Sequence, residues 1–311
     1  MKLQVIRDVT INSSVANVYD VIADLSKWNI WSPWMHCEPT AKTDFQGTPK
    51  QVGQTQTWSG EIIGSGKMTI SGLIHNQQMQ MKLEFLTPFK SVADVQFDIK
   101  DLGGGKAHIT WTMNSVLPFF MIFFKNMMAA YMASDFSRGL SMLKEFVETG
   151  SVISKAIYQG EKNMGQFQVI GQKVTIPISK LSTDIHAEFQ KMSHRLEKGD
   201  ISRPEFIVML SHDHNIPKGT SVLTAGYAYK TGQNIKVPND LQVVTFPEHK
   251  TMLVDFYGPY RNIGNAWSMA MAYQRGKKMK VNKKLPMYEL YKTMPGGAEK
   301  DIHTQIVVPI K

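Results

Sequence analysis

Pro286-Met287-Tyr288-Glu289-Leu290-Tyr291 is the stretch that decides how the second half of the chain folds. Tyr257-Gly258-Pro259-Tyr260 and Trp267 precede it, and Ile306-Val307-Val308-Pro309-Ile310 follows. Read as a strand, it places Met287, Glu289 and Tyr291 on one face and Tyr288 and Leu290 on the other, because successive side chains alternate across a sheet. A carboxylate among aromatic rings is costly unless it is paired, protonated or waiting for a cation. Two readings follow: an edge-strand Glu289 that points to water, or a ligand pocket with a buried acid at its floor.

Outward from this strand the pattern recurs in order, though not in identity. Residues 167–176 read as a strand, 183–198 as a helix, and 205–210 and 222–229 as strands. The second pass runs through 241–256, a helix over 262–280, then strands over 286–292 and 302–310. Two β-α-β-β passes would set two helices on one sheet, with a groove at the pseudo-twofold axis. The aromatic strand ending in Gly258 and Tyr260, the helix carrying Trp267, Tyr288-Glu289-Leu290-Tyr291 and the closing Val307-Val308-Pro309-Ile310 together resemble the GyrI-like, AraC-type effector-binding domain. That resemblance implies small-molecule sensing, with Glu289 in the pocket facing cationic or polar ligands.

The rings of this half sharpen the expectation. Tyr227 and Tyr229 share one strand face, Tyr257 and Tyr260 end another strand, and Trp267 and Tyr273 ride the helix. With Glu289 and Tyr291 they would form an acid-floored cage for an organic cation, held by charge pairing and cation–π contact. The alternative is that most of these rings fill the core, with their hydroxyls reaching the surface. The chemistry also leaves room for a hydrolase or cyclase, with Glu289 as general base and Tyr257 polarising the substrate.

The front half reads differently. Residues 2–12 alternate as a strand with Leu3, Val5, Arg7, Val9 and Ile11 on one face. Ser13-Ser14 offers a helix cap before Val15, Val18, Ile22 and Leu25. An aromatic turn, Trp28-Asn29-Ile30-Trp31-Ser32-Pro33-Trp34, leads to short β-rich runs at 55–59, 67–73, 78–85, 93–99 and 106–113. From Pro118 to about Glu148 the period is helical, with Met127, Met128, Tyr131, Phe136, Leu140, Leu143, Phe146 and Val147 on a wide apolar face. The tryptophan stretch and Phe136-Ser137-Arg138-Gly139-Leu140-Ser141-Met142-Leu143-Lys144 make residues 1–150 resemble the START-like SRPBCC, or polyketide cyclase/dehydrase-like, fold. The resemblance implies a helix-grip: a curved antiparallel sheet around a long C-terminal helix, with a cavity for a hydrophobic ligand. The chain is thus expected to be α+β, with a START-like domain over 1–150, a linker over 151–163 and a GyrI-like domain of two pseudo-symmetric units over 164–311.

The 311 residues suffice for two cores, and 42% hydrophobic with 20% charged residues is ordinary globular composition. A single Cys37 excludes an internal disulfide, and no cofactor motif is present. His36-Cys37 lacks further ligands at workable spacing. His212-Asp213-His214 has the best local metal spacing but leads into a turn, so no metal site is expected. Glu84, Asp98 and His108 are the strand-borne polar groups of the front half. The opening residues show no apolar core of signal-peptide length, and the longest apolar run, 116–124, is about half a membrane span. A cytoplasmic protein without membrane contact is expected. The net charge of +9 includes six cations between Arg275 and Lys284. No recognition helix accompanies them, so they read as a solvated helix end without direct nucleic-acid binding, leaving a protein partner or a homodimer as the macromolecular contacts.

Overall fold

Alternation of apolar residues builds the first strand, β1 (Lys2–Ile11), which buries Leu3, Val5 and Ile11 and leaves Arg7 exposed. The computed structural model describes residues 2–116, 123–233, 235, 237–293 and 298–311. The chain divides into two units between Val152 and Ile153.

In the front unit the Ser14 hydroxyl accepts from Asn17 N and caps α1 (Val15–Ile22). The tryptophan stretch is not a turn but two short helices, α2 (Trp28–Trp31) and α3 (Pro33–Cys37). Pro33 opens α3 at a position where its missing N–H leaves no bond unmade. Then follow β2 (Lys42–Gln46), β3 (Thr55–Ser59), β4 (Ser65–Ile74), β5 (Gln78–Thr87), β6 (Ser91–Gly103) and β7 (Lys106–Val116). The long helix α4 (Lys125–Thr149) ends at Gly150, whose φ of 81° supplies the left-handed stop. The sheet is antiparallel in the order β1-β7-β6-β5-β4-β3-β2, and α4 packs on β1. This is the expected helix-grip.

Phe136, Leu140, Met142 and Leu143 of α4 are buried, while Met127 and Tyr131 are exposed, so the apolar face narrows toward the helix start. The expected start at Pro118 lies outside the described residues. Aromatic rings fill the interior. Trp111 stacks on Phe136 with centroids 4.0 Å apart, Trp28 lies 4.5 Å from Trp31, and Phe97 sits 4.8 Å from Trp111.

The back unit contains β8 (Lys155–Met164), β9 (Phe167–Pro177), α5 (Leu181–Glu197), β10 (Phe206–Asn215), β11 (Thr220–Lys230), β12 (Gln242–Phe246), β13 (His249–Tyr257), α6 (Gly264–Gly276), β14 (Met287–Tyr291) and β15 (His303–Pro309). Two expectations are corrected here. The stretch read as a linker is mostly β8, which pairs with β13 throughout its length. Its lysines, glutamate and asparagine suit an exposed edge strand and so hide its strand character. The run 241–256 is two strands, because Pro247 cannot donate to a ladder and breaks it.

Each β-α-β-β pass is therefore preceded by one more strand. The sheet order β12-β9-β11-β10-β14-β15-β13-β8 shows that the strand preceding each pass pairs with the first strand of the other pass, β8 with β13 and β12 with β9. The pseudo-twofold axis runs between β10 and β14. Both helices lie on one sheet face, α5 over β9 and β11, α6 over β13, β8 and β15.

The opposite face is rolled. Phe246 on β12 lies 5.1 Å from Tyr288 on β14, although three strands separate theirs and a flat sheet would hold them about 19 Å apart. Gly171 faces Gly226 across β9 and β11. A Cβ on Gly226 would fall 2.6 Å from Ile170 O, so only glycine permits this approach. Inside the roll, Val208, Leu210, Leu290 and Val307 form the core with Tyr288, whose hydroxyl meets His249 Nε2 at 3.1 Å.

Candidate functional site

Glu289 pairs with Met209 across the central strands, at the pseudo-twofold axis and on the helix-covered face. Only 3% of it is exposed. The indole Nε1 of Trp267, on α6, donates to Oε1 at 2.5 Å, and the Tyr291 hydroxyl donates to Oε2 at 2.7 Å. Among the described residues no lysine, arginine or histidine forms an ion pair with it. Burial pushes its carboxyl pKa up, and the hydrogen bonds from Tyr291 and Trp267 pull it only partly back. The Tyr291 hydroxyl is held well above its ordinary range, first by burial and then by the Glu289 charge.

More rings complete the enclosure. Phe189 of α5 meets Tyr291 edge-on at 5.4 Å, and Tyr260 does so at 5.5 Å. Tyr260 is 38% exposed, which places it between the acid and solvent, and burial and the Glu289 charge raise its own pKa. The edge-strand reading of Glu289 is thereby excluded: the acid lies at the centre of an eight-stranded sheet under two helices.

The structure brings together Glu289, Trp267, Tyr291 and Tyr260 of the expected cage, and separates the rest. Tyr257 pairs with His303, whereas Tyr291 pairs with Thr304, so Tyr257 lies on the opposite face of the sheet from Glu289. There it stacks on His303 at 4.4 Å, and His303 Nε2 lies 2.9 Å from Asp255. Tyr227 and Tyr229 share the face of Glu289 but belong to the core under α5 with Ile170, Met192 and Ile201. The Tyr229 hydroxyl donates to Ser202 O at 2.8 Å, and burial pushes its pKa up to about 12. Tyr273 stacks on Tyr158 at 4.3 Å.

One residue of the site, Phe189, was not among the expected ones. Phe189 carries no signal beyond its helical period. Tyr260 reaches the site because Gly258, at φ 133° and packed against Ser154, turns the chain past the strand end.

In the front unit, Asp98 and His108 line an open hollow of about 520 Å³, where Gln78 and Gln96 donate to Asp98 at 2.8 Å. Glu84 lies apart, paired with Lys67 at 3.2 Å. The Glu38 carboxylate accepts three backbone N–H bonds, from Glu61, Ile62 and Ile63, each 2.9 Å. His36 bonds Ile30 O, while His212 and His214 bond the hydroxyls of Thr224 and Ser221. Among the described residues no group of three or more His, Cys, Asp or Glu could hold a metal ion. None of their helices is long and apolar enough to cross a membrane.

Residues 2–148 match the family described as polyketide cyclase / dehydrase and lipid transport. The match lies within the front unit. The match covers nearly all of that unit, from β1 to the end of α4. The back unit sets two helices over an eight-stranded sheet with an acid at the axis.

Solved structures are similar at low identity. Protein MLL2253 from Mesorhizobium loti is 12% identical, with 48% of this chain and 99% of that chain covered, at a TM-score of 0.37. EcmrR in its DNA complex is 16% identical, over 62% of this chain and 72% of that chain, at 0.41. SAV2435 bound to tetraphenylphosphonium is 16% identical, over 50% and 94%, at 0.39. These are distant likenesses. No curated protein matches the chain.

Proposed function

We propose that the protein binds small molecules, with an organic cation taken up at Glu289 of the back unit and a hydrophobic ligand in the cyclase-like front unit. One observation carries the cation reading: a carboxylate 3% exposed whose two polar partners, Trp267 and Tyr291, are neutral. A buried charge without a counter-charge is unfavourable, and a cation entering between the rings would supply the missing partner. The rings of Trp267, Tyr260 and Tyr291 would add cation–π attraction. The family match supports the ligand of the front unit, where the rings of Trp28, Trp31, Trp111 and Phe136 occupy the interior it would enter.

A sensor or a sequestering protein fits this reading. A hydrolase pairing Glu289 with Tyr257 does not gain from the geometry, since the two residues lie on opposite faces of the sheet. The test is calorimetric titration of wild type and Glu289→Gln with an aryl-substituted quaternary ammonium ion and its neutral isostere, followed by product analysis. Cation binding that the substitution weakens at least tenfold, with the isostere unaffected and the cation unchanged, supports the reading. Equal weakening of both ligands removes the charge-anchor role.

A further inference from the structure

The six cations of the run 275–284 read by themselves as a solvated end of α6, where positive charge suits the helix dipole. The fold adds to them. Lys311 N donates to Lys280 O at 2.8 Å, Ile310 N donates to Lys250 O at 2.9 Å, and Val281 pairs with Ile310. Lys162 lies opposite Thr251, beside Lys250. Nine exposed cations thus share one end of the back unit, with two acids alongside: Glu161, ion-paired to Lys250, and Glu248.

The charge balance isolates this corner. Residues 1–152 hold 13 Lys and Arg against 13 Asp and Glu, so the front unit is neutral. Residues 153–311 hold 22 against 13 and carry the whole charge of +9. Nine cations against two acids place most of it at this one end.

We propose that this corner binds the phosphate backbone of a nucleic acid without reading its sequence. Three observations favour that occupant. Eight of the nine cations are lysines, which hold phosphate as point charges, whereas protein interfaces are depleted in lysine and built on aromatic cores. The nearest rings, Tyr158 and Tyr273, stack on each other, and Lys277 Nζ lies about 6 Å over both, so no ring is offered to a base. Met279 and Val281 are half-buried, leaving no apolar side chain exposed in the run for insertion into a lipid surface.

Binding of the 311-residue chain to a labelled duplex DNA, followed by fluorescence anisotropy across a salt series, tests this. With about five phosphates neutralised, affinity should fall about 500-fold between about 50 and 200 mM salt, at a slope of about −4.5. Lys280→Gln/Lys283→Gln/Lys284→Gln should flatten that slope by about 0.9 for each contact removed. The charge-matched variant Lys90→Gln/Lys100→Gln/Lys106→Gln of the front unit, made as a control, should behave as wild type. Absence of binding at low salt, equal loss in both triple variants, or preference for polyglutamate or anionic vesicles over DNA would overturn the proposal.

Discussion

At the scale of single residues, the Glu289 carboxyl links binding to pH. Its pKa in the folded protein is raised, so between the ordinary glutamate range and that raised value the folded state holds a proton that the unfolded state has lost. Stability therefore falls as pH rises through this window. Glu289→Gln, which cannot ionise, should remove that slope in thermal melts recorded from about pH 4 upward. Cation affinity should run the other way, rising up to about tenfold per pH unit until the carboxyl is ionised. Trp267→Phe and Tyr291→Phe each delete a donor to the charged form. Each should move the ionisation midpoint upward, read by carbon-13 NMR of labelled glutamate. Alternation along β14 made the pairing of Glu289 with Tyr291 legible in the sequence. The partnership with Trp267 needed the resemblance, and the choice between Tyr257 and Tyr260 needed the backbone turn at Gly258, which no side-chain period records.

Elements fall into those that announce themselves by periodicity and those that do not. The boundaries of β9 and α5 follow from their apolar period, within a residue or two. The short β2 carries one large apolar residue, Phe45, and β8 is an edge strand rich in charge, so neither shows an alternating apolar face. The tryptophan stretch looks like a turn because of its proline, which instead starts α3. Glu38, at the end of that helix, binds the loop 61–63 through three backbone N–H groups, and a Cβ on Gly60 would lie 2.2 Å from its Oε2. Glu38→Ala leaves those donors unpaired and should cost about 2–4 kcal/mol. Urea unfolding followed by tryptophan fluorescence measures this, since five of the six tryptophans lie in the front unit.

For the molecule as a whole, both fold classes were legible from element order together with short motifs. The exchange of β8 and β12, the strands that precede the two passes of the back unit, was not, because strand pairing between distant segments leaves no local trace. Neither was the roll that brings Phe246 onto Tyr288. The facing glycines Gly171 and Gly226 leave no room for a Cβ between β9 and β11, so Gly226→Ala should destabilise the back unit by at least about 1–3 kcal/mol in chemical unfolding. Gly165→Ala, placed in open space, should stay within about 0.5 kcal/mol of wild type.

The central claim, that the buried acid at the pseudo-twofold axis is the anchor for a cation, is tested most directly by calorimetry with an aryl-substituted quaternary ammonium ion at several pH values, on wild type and Glu289→Gln. The account predicts wild-type affinity that rises with pH through the ionisation of Glu289, and a substituted protein that binds at least tenfold more weakly at every pH where wild-type Glu289 is charged. Affinity independent of pH and unchanged by the substitution would contradict it.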